Sequence, residues 1–269
     1  MKAAKKSSKS RRPSNLIMVI GIEGWVNAGK VSTFSVKYLV DKIEAKKFYE
    51  ISADKFHDYA LYRPTVTIKD GLVQSYDPPK NEFYQSTTAA LGQPLILMLG
   101  HEPHRNWPKY VDTVLKVAKR AKVKLIFTCG GFLSDLSSPG QLTVSASASD
   151  EGIIPELKKA GVELTNYSGP TSIFSEIMIK SKRKGIGVIS FWSPVPMYVS
   201  GIYPRGVYLI LEKILHLTGI KLDLADLRKK MEAFEAEFQK ELSRQPDMRG
   251  LVDGYKERTT REREPSYIF

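Results

Sequence analysis

Short apolar runs alternate with stretches of helical periodicity along most of this chain, and that alternation restricts it to a layered α/β architecture. Leu16–Ile22 ("LIMVIGI") is an uninterrupted apolar run of strand length. Val31, Phe34, Tyr38, Leu39 and Ile43 then recur at helical spacing, which predicts a helix over about 29–46. The pattern repeats with a strand at Pro94–Leu99, a helix carrying Val111, Val114, Leu115, Ala118 and Ala121, and a strand at Lys124–Thr128. A helix at Glu151–Ala160 stops at Gly161, and Val162–Tyr167 reads as a strand. Thr171–Lys182 follows as a helix capped by Thr171 or Ser172. Gly185–Trp192 is a buried strand, and a loop holds Pro194 and Pro196. The helix "GVYLILEKILHLTG" is closed by Gly219. Continuous apolar strands are buried on both faces. The expectation is therefore an α/β three-layer sandwich with a mainly parallel mixed sheet. Asp70-Gly71 between two β-rich arms predicts a type I′ hairpin, an antiparallel excursion at the sheet edge. Gln141–Ser149, rich in small residues, is also β-like.

After Gly219 the pattern changes. Leu224, Leu227, Met231, Phe234, Phe238 and Leu242 follow spacings of three and four, marking a long amphipathic helix with a narrow apolar seam. That seam suits either the body of its own chain or a partner. Four regions are expected: a disordered basic tail at 1–14, an α/β domain at 15–220, a C-terminal helical extension at 221–246 and a charged flexible tail at 247–269. With 269 residues, 42% of them hydrophobic, the chain can bury a sizeable core.

The formal charge of +12 is uneven. Lys2, Lys5, Lys6, Lys9, Arg11 and Arg12 supply +6 of it; the remaining 35 basic and 29 acidic residues leave +6. The tail reads as a solubilising extension, with at most weak, unspecific contact to nucleic acid. One cysteine, Cys129, sits in an apolar run and makes no intramolecular disulfide, which suits the cytoplasm. No apolar run reaches the roughly 20 residues that span a bilayer, so no membrane contact is expected.

The most suggestive local motif is "GWVNAGKVS", Gly24 to Ser32. It nearly matches the phosphate-binding loop G-x-x-x-x-G-K-[ST], whose hydroxyl ligates magnesium. Val31 occupies the hydroxyl position, and Ser32 comes one residue late, turned by about 100° on a helix. The motif reads instead as a strand-to-helix turn in which Gly24 and Gly29 relieve strain, with Lys30 an ordinary first-turn residue. "HEPH" (His101 to His104) sets two histidines around a carboxylate, but Pro103 breaks helical spacing and no third ligand lies nearby. A G-x-S-x-G nucleophile elbow is absent. "TCGG" (Thr128 to Gly131) ends a strand in a geometry suited to a ligand or a tight turn. Tyr198 and Arg205 flank "VSGIYPR", an exposed aromatic-basic loop that suits protein contact at least as well as catalysis. No catalytic, cofactor or metal site is expected. The candidate interface or turn residues are Glu23, Gly24, Trp25, Gly29, Trp192, Tyr198, Arg205, Phe234 and Phe238. Trp25 is expected to bury against the body or a neighbouring subunit.

Taken in order, these stretches resemble one family. "GIEGWVNAGKVS", "YRPTV", "NEFY", "EP" with a nearby Trp107, "GGFLSDL", "TVSASASD", "YSGPTSI" and "SFWSPVPMYVSG" are similar to the motif series of the proteasome assembly chaperone 2-like family, over roughly 16–245. The resemblance implies a fold similar to the phosphorylase/hydrolase-like α/β sandwich and a homo-oligomer. It also implies a non-catalytic chaperone role, with proteasome subunits or another protein as partner. Prokaryotic members of the family are often uncharacterised or labelled ATP-grasp-like. His101 and His104 depart from the residues expected around "EP". Family tails that dock on proteasomes end in hydrophobic–tyrosine–any residue, whereas Tyr267 here stands one place too early. The competing expectation is an enzyme acting on a nucleoside or nucleotide on the same kind of fold.

Overall fold

The computed structural model describes residues 16–86, 91, 94–134 and 143–244, with side chains to residue 240. Both expected tails, residues 141–142, the end of "GGFLSDL" and the Leu242 side chain lie outside the described residues. Ten strands and six α-helices are described. Eight strands form one sheet in the order β2-β5-β6-β1-β7-β10-β8-β9. Its centre is parallel: β1 (Ile17–Glu23) lies between β6 (Leu95–His101) and β7 (Leu125–Ser134), and β10 (Gly187–Pro196) joins β7. β5 (Asn81–Ser86) runs antiparallel to β6 and to β2 (Lys46–Ile51). β8 (Ser145–Ala148) runs antiparallel to β10, and β9 (Glu163–Leu164) closes that edge.

Strand periodicity divides the core in two. Ile17 and Val19 point to one face, Met18, Ile20 and Ile22 to the other. The first face is covered by α1 (Val31–Lys42), α3 (Ile154–Lys159) and α5 (Pro204–Thr218), the second by α2 (Trp107–Arg120) and α4 (Ile173–Lys182). Three layers result, as expected. Ser172 caps α4 by accepting from the Phe174 N–H at 3.2 Å, and Gly219 ends α5 in the left-handed region at φ 74°.

Several elements depart from the expectations. The hairpin β3 (Thr65–Lys69) and β4 (Leu72–Asp77) turns at Asp70-Gly71, both with positive φ as a type I′ turn requires, but it is a separate two-stranded sheet. The antiparallel pairs of the main sheet come instead from β2, β5 and β8. Pro194 and Pro196 belong to β10, not to a loop. Both lie beyond the last residue paired with β8, where an open edge tolerates the missing N–H. Val162–Tyr167 keeps only the two residues of β9 as strand.

The C-terminal helix α6 (Ala225–Arg244) packs on its own chain, along α5. Leu227 is fully buried. Phe234 meets Tyr203 edge-on at 5.8 Å, and Phe238 stacks on Tyr198 at 4.3 Å. Arg205 reaches Glu235 at 2.6 Å, and Asp226 accepts from the Tyr38 hydroxyl at 2.7 Å and the Lys42 ammonium at 2.8 Å. Those two donors, Lys42 first, hold the Asp226 carboxyl down at about 2. Leu227→Ala should cost about 2–5 kcal/mol, the usual range for a fully buried leucine. Urea denaturation checks it, and a loss below about 1 kcal/mol would mean that α6 is not part of the cooperative unit.

Candidate functional site

The turn after β1 is built by hydrogen bonds inside the protein. Ser32, one place late for a phosphate loop, accepts from the Ile22 N–H at 2.8 Å and so ties α1 to β1. Asn27 donates to Glu23 at 2.7 Å and accepts from the Thr33 N–H at 3.0 Å. The N–H groups of Asn27 and Lys30 reach Gly24 and Asn27 carbonyls, and the Trp25 N–H reaches Glu102 Oε2 at 3.3 Å. These amides are turned to protein acceptors rather than to an open nest. Gly29 sits at φ 55°, and a Cβ there would lie 2.8 Å from both Tyr203 Cβ and Val195 Cγ1. Its carbonyl accepts from the Tyr203 N–H at 2.8 Å, which fixes the start of α5.

Glu102, at the end of β6, joins this turn to α4. Its Oε1 accepts from the Ile173 N–H at 2.9 Å while Oε2 takes that of Trp25. Burial raises its pKa above the ordinary carboxylate value, and the two backbone N–H groups pull the other way. Gly24 permits this contact: a Cβ there would lie 2.9 Å from Glu102 Cβ.

Beside the turn opens a cavity of about 770 Å³ at the carboxyl ends of β1, β7 and β10. Gly24, Trp25 and Ala28 line it from β1 and its turn, Phe132 and Leu133 from β7, and Trp192 from β10. Ser145, Ser147, Thr165, Thr171 and Ser175 add hydroxyls, and Tyr167 adds a ring. Among the described lining residues none is Asp, Glu, Lys, Arg or His.

The histidines converge elsewhere. His57 stands edge-on to His104 at 5.4 Å and to His101 at 6.3 Å. Asn81 Oδ1 accepts from the Tyr110 hydroxyl at 2.7 Å and the His101 N–H at 3.0 Å, so its amide nitrogen faces His57 Nε2 at 3.0 Å. His57 therefore carries its proton on Nδ1, which is buried without a partner. His101 is occupied by the Lys80 carbonyl and the Tyr62 hydroxyl, and His104 Nδ1 accepts from the Asp58 N–H. The third histidine that the sequence did not place is thus His57, yet no group of three His, Cys, Asp or Glu among the described residues is arranged to hold a metal. Burial, reinforced by the neighbouring His104 and His101, lowers the His57 pKa to about 4.

Of the candidate residues, Gly24, Trp25 and Trp192 meet at the cavity, with Glu23 and Gly29 bracketing its turn. Tyr198, Arg205, Phe234 and Phe238 meet on the seam between α6 and the body. Trp25 is 52% exposed, so it is not part of the core of this chain. Sequence reasoning missed Glu102 as the link between turn and helix, because its two partners lie 77 and 71 residues away.

Fold and site together define a three-layer α/β protein whose turn after the first strand is sealed by its own carboxylate instead of being open to a phosphate. The chain belongs to the PAC2 family, whose model matches residues 21–242. A solved proteasome-assembly chaperone homologue of Mycobacterium tuberculosis is 26% identical at TM-score 0.78, covering 88% of this chain and 99% of that one. A PAC2 family protein of Streptomyces avermitilis is 24% identical at TM-score 0.74, covering 84% and 95%. The fold is also that of Pyrococcus furiosus PbaB, an archaeal proteasome activator, at 18% identity, TM-score 0.64 and coverage of 84% and 93%. No curated protein shows significant similarity to the chain.

Gly29→Val should destabilise the fold by at least about 2 kcal/mol, since strained backbone costs about 1–3 kcal/mol and overpacking a similar amount. Lys30 is not an ordinary first-turn residue: it precedes α1 in the left-handed region at φ 49°. Because the lysine is exposed and alanine keeps a Cβ in the same backbone, Lys30→Ala should leave stability within about 0.5 kcal/mol. Neither wild type nor Lys30→Ala should show magnesium-dependent ATP binding by calorimetry; tight binding lost in the variant would restore the phosphate-loop reading.

The His57 imidazole has a pH consequence. The unfolded chain takes up this proton as pH falls through 6.5, whereas the folded ring stays neutral to about 4. The unfolded state then binds more protons, so stability falls between pH 6.5 and 4 and levels off below. At about 1.4 kcal/mol per unit, discounted for solvent screening, the loss is on the order of 2 kcal/mol. Chemical denaturation from pH 7 to 4 should show this slope in wild type and a shallower one in His57→Gln.

Proposed function

We propose that this chain is a non-enzymatic, self-associating protein that binds other proteins in the manner of a proteasome-assembly chaperone, in the cytoplasm. The observation that carries the reading is the β3–β4 hairpin. Val66 faces Tyr76 and Ile68 faces Val73 across its two strands, and all four are exposed, as is Leu72. Ile68, Leu72 and Val73 are 61%, 67% and 66% exposed. An isolated two-stranded hairpin is marginal in water, and clustered exposed apolar side chains mark protein contact surfaces. A second copy of the chain is the first such partner, because closed homo-oligomers are the commonest assemblies. The similarity to the Mycobacterium tuberculosis assembly-chaperone homologue supports a proteasomal protein as the further partner.

Light scattering coupled to size exclusion tests self-association. Wild type should elute as a multimer, and Ile68→Lys/Val73→Lys should shift it toward the monomer with an unchanged circular dichroism spectrum. A monomeric wild type at tens of micromolar removes the self-association part. Affinity purification at native expression followed by mass spectrometry tests the partner, and recovery of no proteasomal subunit counts against it.

A further inference from the structure

We propose that the cavity beside Trp25 binds an uncharged, planar aromatic small molecule bearing hydrogen-bonding groups. This goes beyond the chaperone reading and rests on the composition of the cavity. At about 770 Å³ it falls within the range of small-ligand sites, roughly 300–1,000 Å³. It opens at the carboxyl ends of parallel strands, where α/β folds place their ligands.

Charge selects the ligand class. None of the described lining residues carries a charge, in a chain of which 26% of residues do. An ion entering there would lose water and gain no counter-charge from the described lining residues. The N-terminus of α4 lies at the wall and would ordinarily attract a phosphate. Here Glu102 Oε1 already takes the Ile173 N–H at 2.9 Å, and the Ser172 hydroxyl takes that of Phe174. The protein's own carboxylate stands where a ligand anion would go, and it repels a second one.

Aromatic walls and hydroxyl groups supply the positive part of the recognition. The Trp192 ring lies against Gly130, where a Cβ would sit 2.6 Å from Cε3, so the ring is held in place at the cavity wall. Tyr167 is pinned by donating its hydroxyl to the Pro170 carbonyl at 2.7 Å. Trp25, a large ring left 52% exposed, stands at the same cavity. Trp192 and Tyr167, fixed in this way, offer faces for stacking. Ser147 Oγ donates only to the Met178 sulfur at 3.8 Å, a weak acceptor that a ligand carbonyl or ring nitrogen would replace. Thr165 and Ser145 form a further hydroxyl pair at 3.2 Å. Hydroxyls both donate and accept, as the edge of a neutral heteroaromatic ring requires.

The full chain is titrated with caffeine, adenosine, indole and coumarin as uncharged probes, and with AMP and indole-3-acetate as their charged counterparts, by ligand-observed NMR and calorimetry. At least one uncharged probe should bind, and adding a phosphate or carboxylate to the same ring should weaken binding at least about tenfold. Ser147→Phe, which fills the cavity, and Trp25→Ala, at a half-exposed position, should each weaken it by about tenfold or more. Circular dichroism and the thermal midpoint establish that both variants fold. No uncharged probe binding at millimolar concentration overturns the proposal. So does a charged counterpart binding as well as its parent, or binding indifferent to both substitutions. The Ile68→Lys/Val73→Lys variant should bind the probe as wild type does, which separates this test from that of assembly.

Discussion

Four parallel strands buried on both faces leave only their ends for chemistry, and at those ends one carboxylate organises the loops. Glu102 reaches the turn after β1 and the first N–H of α4 at once. A carboxylate so largely withdrawn from water is costly unless its oxygens are paired. Two backbone N–H groups pair it, one of them at a helix N-terminus that favours negative charge. The balance is visible in its pKa, which burial raises and the N–H bonds pull back. Without Glu102 the Trp25 N–H and the start of α4 would need other acceptors, and the geometry of the cavity wall would go with them.

What the sequence made legible follows from which forces are local. The parallel strands announced themselves because burial on both faces demands unbroken apolar runs, and the hairpin because two adjacent positive-φ residues demand Asp-Gly. β2 and β5 escaped notice for the opposite reason. β2 is an edge strand, "KKFYEI", exposed along most of its length, with lysines that blunt the edge. β5 reads "NEFYQS"; its burial rests on Phe83 and on Asn81, whose side chain is satisfied by Tyr110, His101 and His57 from three distant segments. No local pattern encodes such a junction. The same holds for His57, which meets "HEPH" from 44 residues before His101.

The α6 seam shows a different limit. Its spacing of three and four is the same whether the helix covers a neighbour or its own body, so periodicity left both open. The body decides it through groups outside the pattern: Tyr198 and Tyr203 supply ring faces, and Lys42 and Tyr38 supply donors to Asp226. Tyr198 and Arg205 from the aromatic-basic loop meet Phe238 and Glu235 of α6 within the chain.

The hairpin and the body are stabilised on different terms, and this bears on how assembly would work. The body closes its own core, with two apolar layers that leave Ile20, Leu97 and Phe127 without exposure. The hairpin buries almost nothing; its five-residue strand β3 is exposed throughout. Its turn chemistry and cross-strand pairs, each worth about 0.2–1 kcal/mol, hold a shape that has little to lose by opening. Anything that covers Ile68, Leu72 and Val73 stabilises the ordered hairpin by mass action, whereas the body gains little. On the proposed reading, association is therefore coupled to ordering of the hairpin and not to folding of the domain. A subunit can then exist folded before it is assembled, as an exchangeable assembly factor requires.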